Sequence, residues 1–212
     1  PGSTFKVITA FAPALDTCGA TLGSVYYDAP FTVGTKTFKN WYKQGYLGYS
    51  SIRDGIIYSM NIVAVRTMME TVSPQLGVEY AKNFGITTLT DTDMNAATAL
   101  GGITNGVTNL ELTSAFASIA NGGLYTKPVF FTKILDHDGK LLIDNEPETH
   151  RVLKDSTAFL LTDAMEDSMQ PNHIFASSGV SVSSTSTRAA LPNMSAAGKS
   201  GTTSNNNDIW FI

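Results

Sequence analysis

Residues 5–12 are apolar on nearly every side of a helix: Phe5, Val7, Ile8, Ala10, Phe11 and Ala12 leave it almost no polar face. A helix of that kind sits inside a protein, so the rest of the chain has to fold around it. Its opening, Pro1-Gly2-Ser3-Thr4-Phe5-Lys6, sets a serine and a lysine three residues apart. At that spacing they share one helix face and the amine can reach the hydroxyl. Serine is a weak nucleophile until a neighbour takes its proton, and an uncharged lysine can do so. A helix N-terminus also presents unpaired N–H groups, which suit a developing oxyanion. Burial would hold Ser3 and Lys6 rigidly, as a catalytic pair requires. Pro13 is expected to end or kink the helix.

Residues 24–49 are rich in glycine and aromatics and predict short extended pieces, the aromatics chiefly packing and secondarily lining a cleft. Ser50 or Ser51 can cap a helix from Ile52 to about Tyr58. Ser59-Met60-Asn61 interrupts it, a second helix runs from about Ile62 to Thr71, and a third over 74–84 stops at Gly85. Thr108-Asn109-Leu110-Glu111 is a capping box ahead of helically spaced Leu112, Ala115, Phe116 and Ile119. His137-Asp138-Gly139 reads as the turn of a β-hairpin. Residues 155–169 predict a helix with Asp155 as cap and Phe159 beside its apolar face. The Ser/Thr/Val stretch 177–187 reads as a mobile loop or a polar helix start, the loop being the plainer choice. Strands are expected at about 196–203 and 208–212, around a Ser204–Asn207 turn.

At 212 residues, with 42% hydrophobic and 15% charged residues, the chain can bury a substantial core. The net charge of −4 comes with no lysine/arginine cluster, which argues against a nucleic-acid partner. Three scattered histidines and one cysteine form no metal constellation, and no metal or other cofactor is expected. Cys18 reads as a buried, inert thiol. No run of about 18 apolar residues marks a membrane span.

Two further stretches complete the Ser3/Lys6 pair: Ser59-Met60-Asn61 between two helices, and Lys199-Ser200-Gly201-Thr202 on a strand. Each triplet alone is weak evidence; together, each in the context its chemistry needs, they are stronger. The set S-x-x-K, S-x-N, K-[ST]-G in that order resembles the penicillin-binding proteins and serine β-lactamases. With Gly106–Leu112, Ala120-Asn121-Gly122-Gly123, Pro128, Thr203 and Asp208-Ile209-Trp210-Phe211, the likeness is to the transpeptidase domain of class A, bifunctional penicillin-binding proteins, over nearly the whole chain. Met60 departs from the aspartate of many relatives, and Ser200 replaces threonine.

The resemblance implies an α+β fold: an antiparallel sheet covered by helices beside a mostly helical region, with the active site in the cleft between them. It implies that Ser3 attacks the carbonyl between the terminal D-alanines of a peptidoglycan stem peptide, with Lys6 as base. Ser59, supported by Lys199, would pass a proton to the departing D-alanine. Asn61 would bond the substrate backbone and position Lys6. The N–H groups of Ser3 and Thr202 would form the oxyanion hole, and Ser200, Gly201, Thr202 and Thr203 would hold the substrate, its carboxylate on the Ser200 and Thr202 hydroxyls. β-Lactams would acylate Ser3. The implied location is the extracytoplasmic face of the bacterial membrane, by an anchor outside this chain.

A serine β-lactamase is the nearest alternative, but Glu70, Glu79 and Glu111 read as helix-surface or capping residues rather than water activators. A penicilloyl-sensing receptor is the alternative outside enzymes. A chain that opens two residues before its nucleophile is expected to be a fragment. By resemblance, residues 1–212 form one transpeptidase domain whose flanking strands come from other segments of the same protein.

Overall fold

The computed structural model describes residues 1–212 apart from Gln44, Asn172, His173 and Ser178 and the side chain of Asn205. A helical run over residues 2–16, here α1, forms the axis of the core. It opens as a 3-10 turn at Gly2–Thr4, widens to a π turn at Val7–Phe11 and closes as an α-helix at Ala12–Asp16. Phe5, Val7, Ile8, Ala10, Phe11 and Ala12 are fully buried, as their all-round apolarity requires.

Pro13 does not end this helix. In the π turn the Ala12 N–H reaches back to the Val7 carbonyl, and Pro13 falls in the first turn of the following α segment, where its missing N–H costs nothing. Against α1 pack α3 (Asn61–Arg66, continuing as a π turn Thr67–Val72), α4 (Pro74–Asn83) and α6 (Asp155–Asp167), with α2 (Ile52–Ile57) on α3 and α6 and α5 (Asn109–Ala120) on α6. Ser51 caps α2 and Thr108 caps α5, both through capping boxes, with Asp54 and Glu111 as the answering acids. Among the described residues no helix is long and apolar enough to cross a membrane.

The strands pair antiparallel, and among the described residues they form separate two-stranded ladders rather than one continuous sheet. In chain order they are β1 (Val25–Asp28), β2 (Phe31–Val33), β3 (Lys36–Phe38), β4 (Gly48–Ser51), β5 (Leu124–Thr126), β6 (Lys133–Leu135), β7 (Leu141–Asp144), β8 (Thr149–Arg151), β9 (Ile174–Ser177), β10 (Val180–Ser183), β11 (Ser200–Thr202) and β12 (Ile209–Phe211). The pairs are β1–β4, β2–β3, β5–β8, β6–β7, β9–β10 and β11–β12. The hairpin expected around His137 is present, with an irregular register at Ile134/Leu135.

Four local expectations are corrected. Within 177–187, Val180–Ser183 is a strand rather than a loop: Val180 and Val182 are buried and alternate with exposed Ser181 and Ser183, the period-two pattern of a half-buried strand. Ser178, inside that stretch, lies outside the described residues. Asp155 is the first residue of α6 rather than its cap, which falls at Lys154 with no side-chain bond. Its carboxylate still meets the positive end of the helix dipole there. Phe159 is 68% exposed and so points away from the core. Cys18 is half-buried rather than buried, its sulfur 3.9 Å from the Thr17 hydroxyl. The aromatics of 24–49 divide: Tyr26, Phe38 and Tyr42 pack inward, whereas Tyr27, Trp41 and Tyr49 are exposed.

Candidate active site

A cleft of about 750 Å³ opens where the start of α1 meets β11 and the α2–α3 turn. Ser3 is half-buried at its floor, and Lys6 lies fully buried beneath. Residues three apart along a helical run share a face, which puts the Ser3 and Lys6 side chains on one side of α1. The Lys6 amine makes its hydrogen bonds to Ser59 and Asn61 rather than to Ser3. Nζ is 2.7 Å from the Ser59 carbonyl oxygen, 3.1 Å from Ser59 Oγ and 2.7 Å from Asn61 Oδ1. The Lys199 amine donates to the same Ser59 Oγ at 2.9 Å and to its neighbour's carbonyl, Ser200 O, at 3.0 Å.

Ser59 owes its position to a three-residue break between helices, Tyr58 to Met60. Its φ is 51°, in the left-handed region that a non-glycine residue occupies at a cost of about 1–3 kcal/mol. That turn aims both its carbonyl and its hydroxyl at the lysines. Met60 then swings fully into the core, where an aspartate would need a buried partner.

Both lysines are fully buried, and burial penalises the charged form. It holds Lys6 well below the usual lysine range, and the charge of Lys199 lowers it further. Burial brings Lys199 down to about 7. A neutral Lys6 amine has two N–H groups, matched by the two pure acceptors at 2.7 Å, the Ser59 carbonyl and Asn61 Oδ1. Its lone pair is then free to accept a proton from a hydroxyl.

Three backbones converge beside Ser3 because three residues lack a Cβ. A Cβ on Gly2 would lie 2.6 Å from the Thr202 oxygen, one on Gly101 2.3 Å from the Gly2 oxygen, and one on Gly201 2.4 Å from the Pro1 oxygen. Substitution at any of the three would push these segments apart. The Lys199 N–H bonds the Ile212 carbonyl and the Thr203 N–H bonds the Asp208 carbonyl. In an antiparallel pair the N–H groups alternate in direction, so that of Thr202 points away from β12, toward the start of α1. The Ser3 N–H is among the first of its helix, which have no carbonyl a turn behind them to bond.

Ser200, Gly201, Thr202 and Thr203 line one wall of the cleft and Asn61 another. The structure therefore brings every residue singled out in the sequence into one site: Ser3, Lys6, Ser59, Asn61, Lys199, Ser200, Gly201, Thr202 and Thr203. It adds residues that carried no local signature. Trp41 is held at the rim by a bond from its Nε1 to the Tyr58 carbonyl at 2.9 Å. Lys36 stands nearby, and the segment from Ala97 to Ile103 makes the wall against Gly2. Asp208 is the one acid lining the cleft among the described residues, and its carboxylate accepts the Thr203 hydroxyl at 3.2 Å.

The other acids weighed from sequence are committed elsewhere. Glu70 pairs with Arg66, and Glu79 is on the surface of α4. For Glu111, partial burial pushes the carboxyl up, but hydrogen bonds from Thr87 and Thr108 prevail and hold it at about 2. Asp136, His137 and Asp138 form a group of metal-capable side chains on the β6–β7 turn, outside the cleft lining.

Residues 1–209 match the family model for the penicillin binding protein transpeptidase domain. Penicillin-binding protein 1A of Clostridium tetani is 30% identical over the whole chain, which spans 27% of that protein. Penicillin-binding protein 1F of Bacillus subtilis is 36% identical over 76% of the chain and 22% of its own length. The chain thus spans about a quarter of the length of such relatives. Among solved structures, penicillin-binding protein 1A from Haemophilus influenzae superposes with a TM-score of 0.79 at 25% identity, covering 99% of this chain and 35% of that one. Penicillin-binding protein A from M. tuberculosis, solved as an imipenem acyl-enzyme complex, gives 0.79 at 24% identity, covering 100% of this chain and 50% of that one.

Proposed function

Because the chain belongs to the penicillin-binding protein transpeptidase-domain family, we propose that it is the D,D-transpeptidase unit of a cell-wall synthase. On this reading it cross-links peptidoglycan stem peptides through an acyl-serine and is inhibited by β-lactams. The observation that carries this reading is the Ser59 hydroxyl bonded by two buried lysine amines, directly below a serine at a helix head.

Ser3 Oγ attacks the carbonyl of the penultimate D-alanine, and its proton passes to the neutral Lys6 amine. The tetrahedral oxyanion is received by the N–H groups of Ser3 and Thr202, each such donor being worth about 2.7–4 kcal/mol. The C–N bond to the terminal D-alanine then breaks. Its nitrogen takes a proton from Ser59 Oγ, which Lys6 and Lys199 resupply across their shared bond. The hydroxyls of Ser200 and Thr202 hold the terminal carboxylate, with Gly201 and Thr203 completing that edge. Asn61 holds the donor backbone. An amine of a second stem peptide attacks the ester, returns the proton to the site and releases Ser3. With a β-lactam the ring C–N bond opens, but the nitrogen stays tethered to the acyl group. It blocks the acceptor amine, and the adduct persists.

Persistence rather than hydrolysis is supported by the cleft walls. The segment facing Ser3 offers Ala97, Leu100, Gly101, Gly102 and Ile103, none able to activate water, and Asp208 is turned to Thr203. This separates the transpeptidase from a β-lactamase. The chemistry needs no metal or other cofactor. In the whole protein the domain works on the extracytoplasmic face of the membrane, tethered by an anchor outside residues 1–212. There it is joined to the other segments of its polypeptide, which supply the strands flanking this domain.

Labelling with a fluorescent penicillin and mapping the modified peptide tests the reading. The expected result is a long-lived adduct on Ser3, lost in Ser3→Ala, together with cross-linking of two stem peptides. An adduct on another residue, or rapid turnover of nitrocefin, would overturn it.

A further inference from the structure

Helix α3 has no cap of its own. Met60 occupies the N-cap position with an apolar, fully buried side chain that cannot accept from the first-turn N–H groups. The acceptor comes from elsewhere in the chain. Asn40 Oδ1 receives the Asn61 N–H at 2.8 Å and the Ile62 N–H at 3.1 Å. At its other end, Asn40 Nδ2 donates to Asp28 Oδ1 at 2.6 Å and to the Tyr42 hydroxyl at 2.7 Å.

Asp28 is 1% exposed, and its second oxygen accepts the Tyr42 hydroxyl and the Leu47 N–H, both at 2.8 Å. A carboxylate only accepts, so it dictates which end of the Asn40 amide faces the helix. The preceding residue completes the grip. The Lys39 carbonyl accepts from Asn61 Nδ2 at 2.8 Å, which leaves Asn61 Oδ1, not its NH₂, facing the Lys6 amine at 2.7 Å.

We propose that Asn40, oriented by Asp28, is a positioning residue for acylation: Lys39 and Asn40 clamp Asn61 from two sides so that its oxygen fixes the amine of Lys6 beside Ser3. This rests on the transpeptidase reading and adds residues that the catalytic triplets do not contain. Were the Asn61 amide to rotate, its NH₂ would oppose the Lys6 N–H groups and the amine would lose one of its two short acceptors. A misplacement of about 1 Å by a change remote from the chemistry can cost roughly 10²-fold in rate. The charged and titratable groups concerned are Lys199, which faces Lys6 from the start of β11, and Asp28 and Tyr42 behind Asn40, with Tyr46 facing Tyr42.

The test measures second-order acylation by a fluorescent penicillin against pH, with thermal unfolding as the check on folding. Asn40→Ala should slow acylation about 10²-fold. It should also move the acid limb to lower pH, because an ammonium at Lys6 loses an acceptor. Asn40→Asp keeps the helix acceptor but sets two carboxylates against each other, and should be impaired as well. Combining it with Asp28→Asn restores a donor opposite an acceptor and should recover most of the rate. Tyr42→Phe, which keeps the ring in place and removes one tie, should slow acylation several-fold and gives the measurement if the alanine variant does not fold. A folded Asn40→Ala or Tyr42→Phe protein with the parent's rate and limb would overturn the proposal. So would an Asp28→Asn/Asn40→Asp protein no faster than Asn40→Asp alone. A parent that is not acylated at Ser3 would instead refute the transpeptidase reading.

Discussion

Lys199 Nζ and Lys6 Nζ meet at one atom, the hydroxyl oxygen of Ser59, at 2.9 Å and 3.1 Å. Two charged amines so close in a fully buried site would repel, and burial together with the charge of Lys199 favours the neutral amine at Lys6. A hydroxyl between two amines can give a proton one way and take one from the other.

Lys6→Ala is expected to slow acylation of Ser3 by about 10²–10⁴-fold while the protein stays folded, the usual share of a general base. Stopped-flow labelling with a fluorescent penicillin measures this directly. Near-parent rates in a folded variant would move the base to another group.

Stability should rise with pH because of Lys199. Its folded value is about 7, against 10.5 for an ordinary lysine. Below about 7 both folded and unfolded states carry the proton, and the full cost of the buried charge is present. Between the two values the unfolded state binds more protons, so the folded state gains as pH increases, and the gain is complete above the ordinary value. Lys199→Met removes this group. Unfolding midpoints of parent and variant should therefore converge with rising pH in the parent's favour, and parallel curves would refute the assignment.

Gly201→Ala should separate β11 from the start of α1, since the new methyl would meet the Pro1 oxygen at 2.4 Å. The Thr202 N–H moves with the strand. Loss of one oxyanion donor costs about 10²–10³-fold, and acylation should fall by that order. Unchanged acylation would show that the Thr202 N–H does not stabilise the oxyanion.

Cys18→Ser, or alkylation of Cys18, should leave acylation unchanged. The thiol is half-buried just past the far end of α1 and is absent from the cleft lining. A folded variant that no longer labels would reveal a role for the sulfur.

The triplets were legible because each packs its chemistry into three or four consecutive residues. The buried helix was legible because nothing else explains six apolar side chains around one turn after another. Asn40 and Trp41 were not, because they bond Asn61 and Tyr58 across a fold that brings distant segments together, and a loop asparagine or an aromatic in an aromatic-rich stretch announces nothing by itself. The wall from Ala97 to Ile103 had only a glycine pair to mark it. The strand Val180–Ser183 is hidden for a different reason: the serine-rich composition around it conceals the alternation of Val180 and Val182. That Pro13 does not end the helix was hidden because a π turn, which no residue pattern advertises, precedes it and leaves it in the first turn of an α segment.

Around Ser3 the walls are main chain: Gly2, Gly101 and Gly201 touch neighbouring backbones with no side chain between. On the transpeptidase reading, selection under a β-lactam therefore has little to work with at the centre, since any replacement there would disturb the site along with the drug's fit. On that reading, side chains open to change without touching this backbone contact lie further out in the cleft lining, at positions such as Lys36, Trp41 and Ile103. A compound whose contacts stay within the glycine-built floor leaves this protein few mutations to try.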